Sequence, residues 1–204
     1  MRTRVNDMNR DTNRDTRTVL LDFAEHSARS RGFDGFSYAD MAAAIGIRKA
    51  SIHYHFPTKA NLAEALIERY QSGLQQRLAE IDAVHATAGA RLEALIALYR
   101  AALRDGQTVC LCIAFSVCRE SLSETVIAGV GAIRAMVTRW ITATFELGQR
   151  DGSISAIDDP AREAHATLAM LEGAHLAARA QQAPAVFDAA TQLLSARCQA
   201  PRRM

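Results

Sequence analysis

The sequence predicts an all-α protein: an N-terminal three-helix head of the helix-turn-helix kind carried on a larger helical body, about nine helices altogether. Three observations predict it. Long stretches carry apolar residues at steps of three and four, as in Val126, Val130, Ile133, Val137, Trp140, Ile141 and Phe145, and no stretch alternates as a strand would or carries an Asn-Gly hairpin turn. Only four prolines are present, and Pro160 and Pro184 sit where a helix would begin. Near the N-terminus, residues 37–56 (SYADMAAAIGIRKASIHYHF) read as two short helices around a glycine turn.

In chain order, residues 1–10 are expected to form a loose basic arm with Arg2, Arg4 and Arg10, able to lie along a polyanion or simply to be solvated. A first helix follows over 11–31, with Leu20, Phe23, Ala24 and Ala28 on one stripe, and Gly32 ends it. Phe33 and Phe36 are expected to plug the small core of the head. Ser37 with Asp40 three residues on fits a capping box; Met41, Ala44 and Ile45 share a face; Gly46 reverses the chain. The second short helix then presents Arg48, Lys49, Ser51, Tyr54 and His55 as a polar, cationic face suited to phosphate oxygens and major-groove edges. Thr58 caps a fourth helix bearing Leu62, Leu66, Tyr70, Leu74 and Leu78, long enough to reach from the head into the body.

The body is expected to hold helices over 91–103, 108–120, 122–150, 160–180 and 184–197. No apolar run reads as long enough to cross a bilayer, and no signal-peptide core follows the Arg-rich start, so a soluble, cytoplasmic chain is expected. Four unevenly spaced cysteines do not suggest a disulfide framework and are expected as reduced thiols. The net charge of +2 is distributed unevenly: residues 1–60 hold ten Arg or Lys against seven Asp or Glu, and the remaining residues fourteen against fifteen. Both lysines, Lys49 and Lys59, lie in the basic part. That asymmetry supports a polyanionic partner for the head.

The run GIRKASIHYHFPTKANL resembles the signature of the tetracycline-repressor (TetR/AcrR) family of regulators, and the register extends upstream, so that the resemblance covers residues 14–66. It implies a helical homodimer that binds a palindromic operator in double-stranded DNA and is released by a small-molecule effector, with a DNA-binding domain over 1–58 and a ligand-binding and dimerisation domain over 59–204. Carried over position by position, it implies DNA contacts from Ser37, Arg48, Lys49, Ala50, Ser51, His53, Tyr54, His55 and Lys59. Arg48 stands where the family usually has serine, and His53 where it usually has a phosphate-binding tyrosine, with Tyr54 one residue later. The resemblance also places an intersubunit four-helix bundle at the last two helices, where Leu168, Leu171, Leu176, Val186, Leu193 and Leu194 offer more apolar surface than a monomer easily hides.

An effector pocket is expected among Tyr99, Phe115, Met136, Trp140, Met170 and His175, residue types that also serve as plain core. Cys110, Cys112 and Cys118 are candidate thiol sensors, since the CLC run resembles the electrophile-sensing branch of the family; inert buried thiols are the other reading. If Thr108 caps the helix, Cys110 lies in its first turn, where the free amides favour a thiolate. Two apart on a helix, Cys110 and Cys112 point about 200° from each other and do not chelate one ion, so neither metal nor cofactor is expected. Two rival functions are an enzyme pairing Cys118 with His165 or His175, for which no nucleophile motif is present, and a helical interaction module without DNA binding.

Overall fold

The computed structural model describes residues 2–198, with side chains from residue 15 onward. Its helices are α1 (Arg2–Arg31), α2 (Tyr38–Ile45), α3 (Lys49–His55), α4 (Lys59–Val84), α5 (Ala88–Ala102), α6 (Leu111–Ser116), α7 (Glu124–Asp151), α8 (Pro160–Gln181) and α9 (Pro184–Ser195), with single 3-10 turns at Phe33–Gly35 and Arg119–Ser121. The one extended pairing among the described residues is an isolated antiparallel bridge between Ile154 and Cys198. The all-α expectation and the succession of elements hold.

Local chemistry accounts for most boundaries. Ser37 and Asp40 close a full capping box on α2, and Thr58 and Asn61 close another on α4; caps of this kind are worth about 1 kcal/mol each. Gly46 ends α2 at φ 76, the left-handed conformation that a side chain would strain. Thr87 and Ser123 cap α5 and α7, and Asp159 with Pro160 starts α8. The head-to-body transition is therefore a pair of well-capped helices and no flexible linker.

Four expectations need correction. Helix α1 begins at Arg2, so the stretch expected as a loose arm continues the helical backbone; the side chains of Arg2, Arg4 and Arg10 lie outside the described residues. Ala44 is exposed; Met41 is the fully buried residue of α2, with Tyr38, Ala42 and Ile45 packed partly buried beside it. Thr108 does not cap α6: its hydroxyl donates to the Ala102 carbonyl at 2.7 Å, and the helix starts at Leu111 with Cys110 as its N-cap. Finally, α7 is long and apolar enough, at mean hydropathy 1.3, to pass a membrane-span test of length and composition. Here that apolarity is a core stripe: Val126, Val130, Ile133, Val137, Ile141 and Phe145 are buried, as the spacing predicted.

One apolar cluster runs without a break from Leu20, Met41, Ile52 and Phe56 in the head to Leu92, Ile141, Leu171 and Phe187 in the body. Helix α1 packs on α4 and α6, while α7, α8 and α9 stack on one another. Helices α4 and α7 cross so closely that a Cβ added at Gly129 would stand 2.6 Å from Ile67 Cγ2. Only glycine permits that approach.

Candidate nucleic-acid interface and the buried thiol site

Helix α3 is two turns long and is held by a single side chain, Ile52, which is fully buried. With Ile52 and then Phe56 pinned inward, Arg48, Lys49, Ala50, Ser51, His53 and Tyr54 are left in solvent, Tyr54 at 73% exposure. The end of α3 is tied down by Tyr38, whose hydroxyl donates between the Phe56 and Thr58 carbonyls at 2.9 and 2.7 Å. Burial pushes the Tyr38 phenol up to about 12, so it remains a donor at any ordinary pH. The α2 to α4 unit is thus a rigid mount with one polar face.

Not every residue predicted for DNA contact faces outward. The Lys59 ammonium donates to the Phe36 carbonyl at 2.7 Å and lies 4.8 and 4.7 Å from the centres of the Phe33 and Phe36 rings. Burial holds its pKa below the usual lysine value, and the side chain closes the floor of the head instead of reaching a phosphate. Ser37 is also committed: its amide donates to Asp40 Oδ2 at 2.8 Å, and its hydroxyl receives the Asp40 amide at 3.3 Å. The hydrogen bonds from Ser37 hold the Asp40 carboxyl below its ordinary pKa, so an anion stands beside the cap. His55 is half-buried against Phe56, and burial followed by the charge of Arg17 depresses its pKa. His53 Nδ1 lies 3.1 Å from the Pro57 carbonyl, with its ring edge-on to Tyr38 at 5.0 Å.

The second candidate site lies where α5, α6 and α8 meet. Cys110 and Cys112 are buried, at 3% and 4% exposure. Because Cys110 is extended (φ −65, ψ 151), the 200° separation expected for two helical positions does not apply. A hydrogen bond from the Cys112 thiol pulls Cys110 below the ordinary thiol value against the opposing effect of burial, and the amides of Ile113 and Cys112 act in the same direction. The same contact pushes Cys112 well up. Cys110 is therefore the more acidic thiol of the pair, and Cys112 donates the hydrogen bond that makes it so. Among the described residues no group of three or more His, Cys, Asp or Glu side chains could hold a metal.

His175 builds the back of this site. It is completely buried, between the rings of Tyr99 and Phe187 at 5.5 and 5.4 Å. Its Nδ1 accepts from the Cys110 amide at 3.1 Å, which leaves Nε2 to donate to the Tyr99 carbonyl at 2.8 Å. Burial lowers its pKa to about 4, and the ring is neutral at pH 7.

In front, Arg29 of α1 clasps the loop before Cys110. Its Nε donates to the Val109 carbonyl at 2.9 Å and a terminal nitrogen to Ala102 at 2.7 Å, while the Val109 amide returns a bond to the Arg29 carbonyl at 3.0 Å. The signal for Arg29 in the sequence was only a basic residue in a helix's last turn, and its partners stand about eighty positions away.

The six residues predicted for the pocket do not gather around one cavity, although the Tyr99 and His175 rings meet at 5.5 Å. A cavity of about 230 Å³ opens between α1, α4 and α5 and reaches Cys110; of the six, only Tyr99 lines it. Its other walls are Tyr70, Gly73, Leu74, Leu98 and Ala102, with Glu25, Arg29, Arg69 and Arg77 as the polar part. Phe115 is core, packed on Phe33 at 4.9 Å. Trp140 ties α7 to α4 through a bond from Nε1 to Asp82 at 3.0 Å, and Met136 and Met170 pack partly buried on the core. Among the described residues no hydrogen bond joins Cys118 to His165 or His175; its sulfur instead stands 3.6 Å from where a Cβ on Gly32 would be.

The candidate dimer leucines divide in the same way. Leu168, Leu171 and Leu194 are buried within the chain and Val186 partly so, whereas Leu176 and Leu193 are 48% and 71% exposed.

A capped helix-turn-helix with an outward polar recognition helix, fused to a helical body with a cavity, is the architecture of a DNA-binding regulator of transcription. The description "Bacterial regulatory proteins, tetR family" matches residues 20–66. Over nearly the whole chain the protein is similar to a TetR-family transcriptional regulator from Agrobacterium tumefaciens of known structure, at 30% identity and a TM-score of 0.86, covering 92% of this chain and 100% of that one. The chain belongs to the TetR family. It is also similar to the HTH-type transcriptional repressor NemR of Escherichia coli strain K12, 25% identical over 177 residues that cover 84% of this chain and 88% of that protein. The structure of E. coli NemR in its reduced form shares the fold at a TM-score of 0.77 and 22% identity, covering 93% and 100% of the two chains.

Proposed function

We propose that the protein is a homodimeric repressor that grips a palindromic operator with its head (residues 1–58) and is released when a thiol-reactive small molecule engages Cys110 in its body (residues 59–204). The observation that carries the DNA half is the solvent-facing set Arg48, Lys49, Ala50, Ser51, His53 and Tyr54 on a mount held by Tyr38 and Lys59. Arg48 and Lys49 have the donors to read guanine edges and phosphates, and Ala50 and Ser51 are small enough for groove entry. Tyr54 is the better phosphate donor of the two aromatic candidates, because its ring stands 73% exposed while His53 already engages Pro57 through Nδ1.

Release follows from the packing around Cys110. An adduct on a sulfur only 3% exposed needs room, and the nearest structure to yield is the Arg29 to Val109 clasp. Loosening it shifts α1 and α4, and hence the spacing of two heads that must sit about 34 Å apart on one face of the duplex. Effector and operator then weaken each other by the same factor. The similarity to NemR, a transcriptional repressor, supports the sign of the regulation.

The test is operator selection from random duplexes followed by titration. Lys49→Ala should weaken binding to every selected duplex and lower the salt slope by about two, one for each head, and Lys49→Ala with Tyr54→Ala should abolish it; unchanged binding would overturn the reading. In the same assay, an alkylating maleimide should free the operator from wild type and not from Cys110→Ser.

A further inference from the structure

The cavity beside Cys110 has an asymmetric wall. Its inner side is apolar and aromatic, made by Tyr70, Leu98 and Tyr99. Its outer side carries three arginines and one glutamate. Two of these arginines are already neutralised: Arg69 binds Asp22 and Glu25 at 2.7 Å each, and Arg29 binds Glu25 at 3.2 Å besides two carbonyls. Arg77, exposed on α4, makes no ion pair among the described residues, and the nearby Glu80 accepts from Gln76 at 2.8 Å. Among the groups that line the opening, three arginines stand against one glutamate, and Arg77 is the arginine whose guanidinium makes no ion pair among the described residues.

We propose that this cavity selects a compact anionic electrophile, an α,β-unsaturated carbonyl compound carrying a carboxylate, with the carboxylate on Arg77, the carbon skeleton against Tyr70 and Leu98, and the electrophilic carbon at the Cys110 sulfur. It rests on the reading of Cys110 as the sensing thiol and adds to it the class of compound sensed. In the bond-forming step Cys110 gives its proton to solvent and its sulfur bonds to the β-carbon. The π pair of the C=C bond moves toward the carbonyl oxygen, and the resulting enolate takes a proton from solvent at the α-carbon. The net change is addition of S–H across the double bond, with no oxidant or reductant. A volume of about 230 Å³ suits one ring or a short chain, not a long lipid tail.

The experiment uses the full chain and three maleimides of matched size bearing a carboxylate, an ethyl group or an ammonium. Rates of Cys110 modification, read by peptide mass mapping, are divided by each probe's rate with 2-mercaptoethanol. The carboxylate probe should react about fivefold faster than the neutral one, the ratio given by an ion pair worth about 1 kcal/mol, and the cationic probe slowest. Arg77→Gln should erase the preference, and Arg77→Lys should keep most of it. Equal normalised rates for the three probes in wild type, or a preference that survives Arg77→Gln, would overturn the proposal. Rapid, charge-selective modification of Cys110 with the operator still bound would instead remove the sensor reading and uphold the selectivity, so the two fail separately.

Discussion

A single neutral ring, that of His175, joins three helices, and its environment makes the fold sensitive to acid. The unfolded chain takes up a proton on this imidazole near the ordinary value of 6.5, whereas the folded chain resists until about 4. Between those values the unfolded state binds more protons, so stability falls as pH falls, by up to about 1.4 kcal/mol per unit. Urea midpoints at pH 7 and pH 5 should differ in wild type, and the difference should shrink in His175→Gln. Tyr38→Phe removes the hydroxyl that closes α3 against Phe56 and Thr58, at a cost of about 1–2 kcal/mol measurable by urea denaturation. Residue identities were legible in the sequence where a local pattern dictates the role, as with the Ser37 and Asp40 cap. They were not legible where direction decides: Lys59 occupies a family position yet turns inward, because the Phe33 and Phe36 rings and a free carbonyl offer its ammonium a site that no one-dimensional pattern displays.

Helices announce themselves through periodicity, and α4 and α7 follow their predicted stripes almost residue for residue, with Tyr70 and Trp140 alone only partly buried. Element ends were legible wherever a side chain makes the cap. Thr58→Ala should therefore lower stability by about 1 kcal/mol in thermal or urea unfolding, while leaving the recognition face chemically intact. The start of α6 was hidden for the opposite reason. The Thr108 hydroxyl closes the end of α5 instead, and the Cys110 amide is satisfied by a histidine sixty-five residues away. The cavity escaped the sequence on similar grounds, since α1, α4 and α5 each contribute residues whose convergence is a property of the packing alone.

Across the whole molecule, the leucines that were expected to mark a subunit interface mostly fill the chain's own core, which leaves Leu176 and Leu193 as the apolar residues still in solvent on α8 and α9. Leu176→Glu together with Leu193→Glu should give a folded monomer by sedimentation, and its hold on a palindromic duplex should drop by roughly a hundredfold or more because the two heads no longer add. The tight crossing at Gly129 has a mechanical corollary. Ile67 is eight residues from Lys59, so the head end of α4 lies about 12 Å from this fulcrum, while Gly73 in the cavity wall lies about 9 Å beyond it on the other side. Were α4 to turn there as a stiff rod, its two ends would swing in opposite senses and by similar distances, so that swelling the cavity by an ångström would carry the reading head slightly more than an ångström the other way.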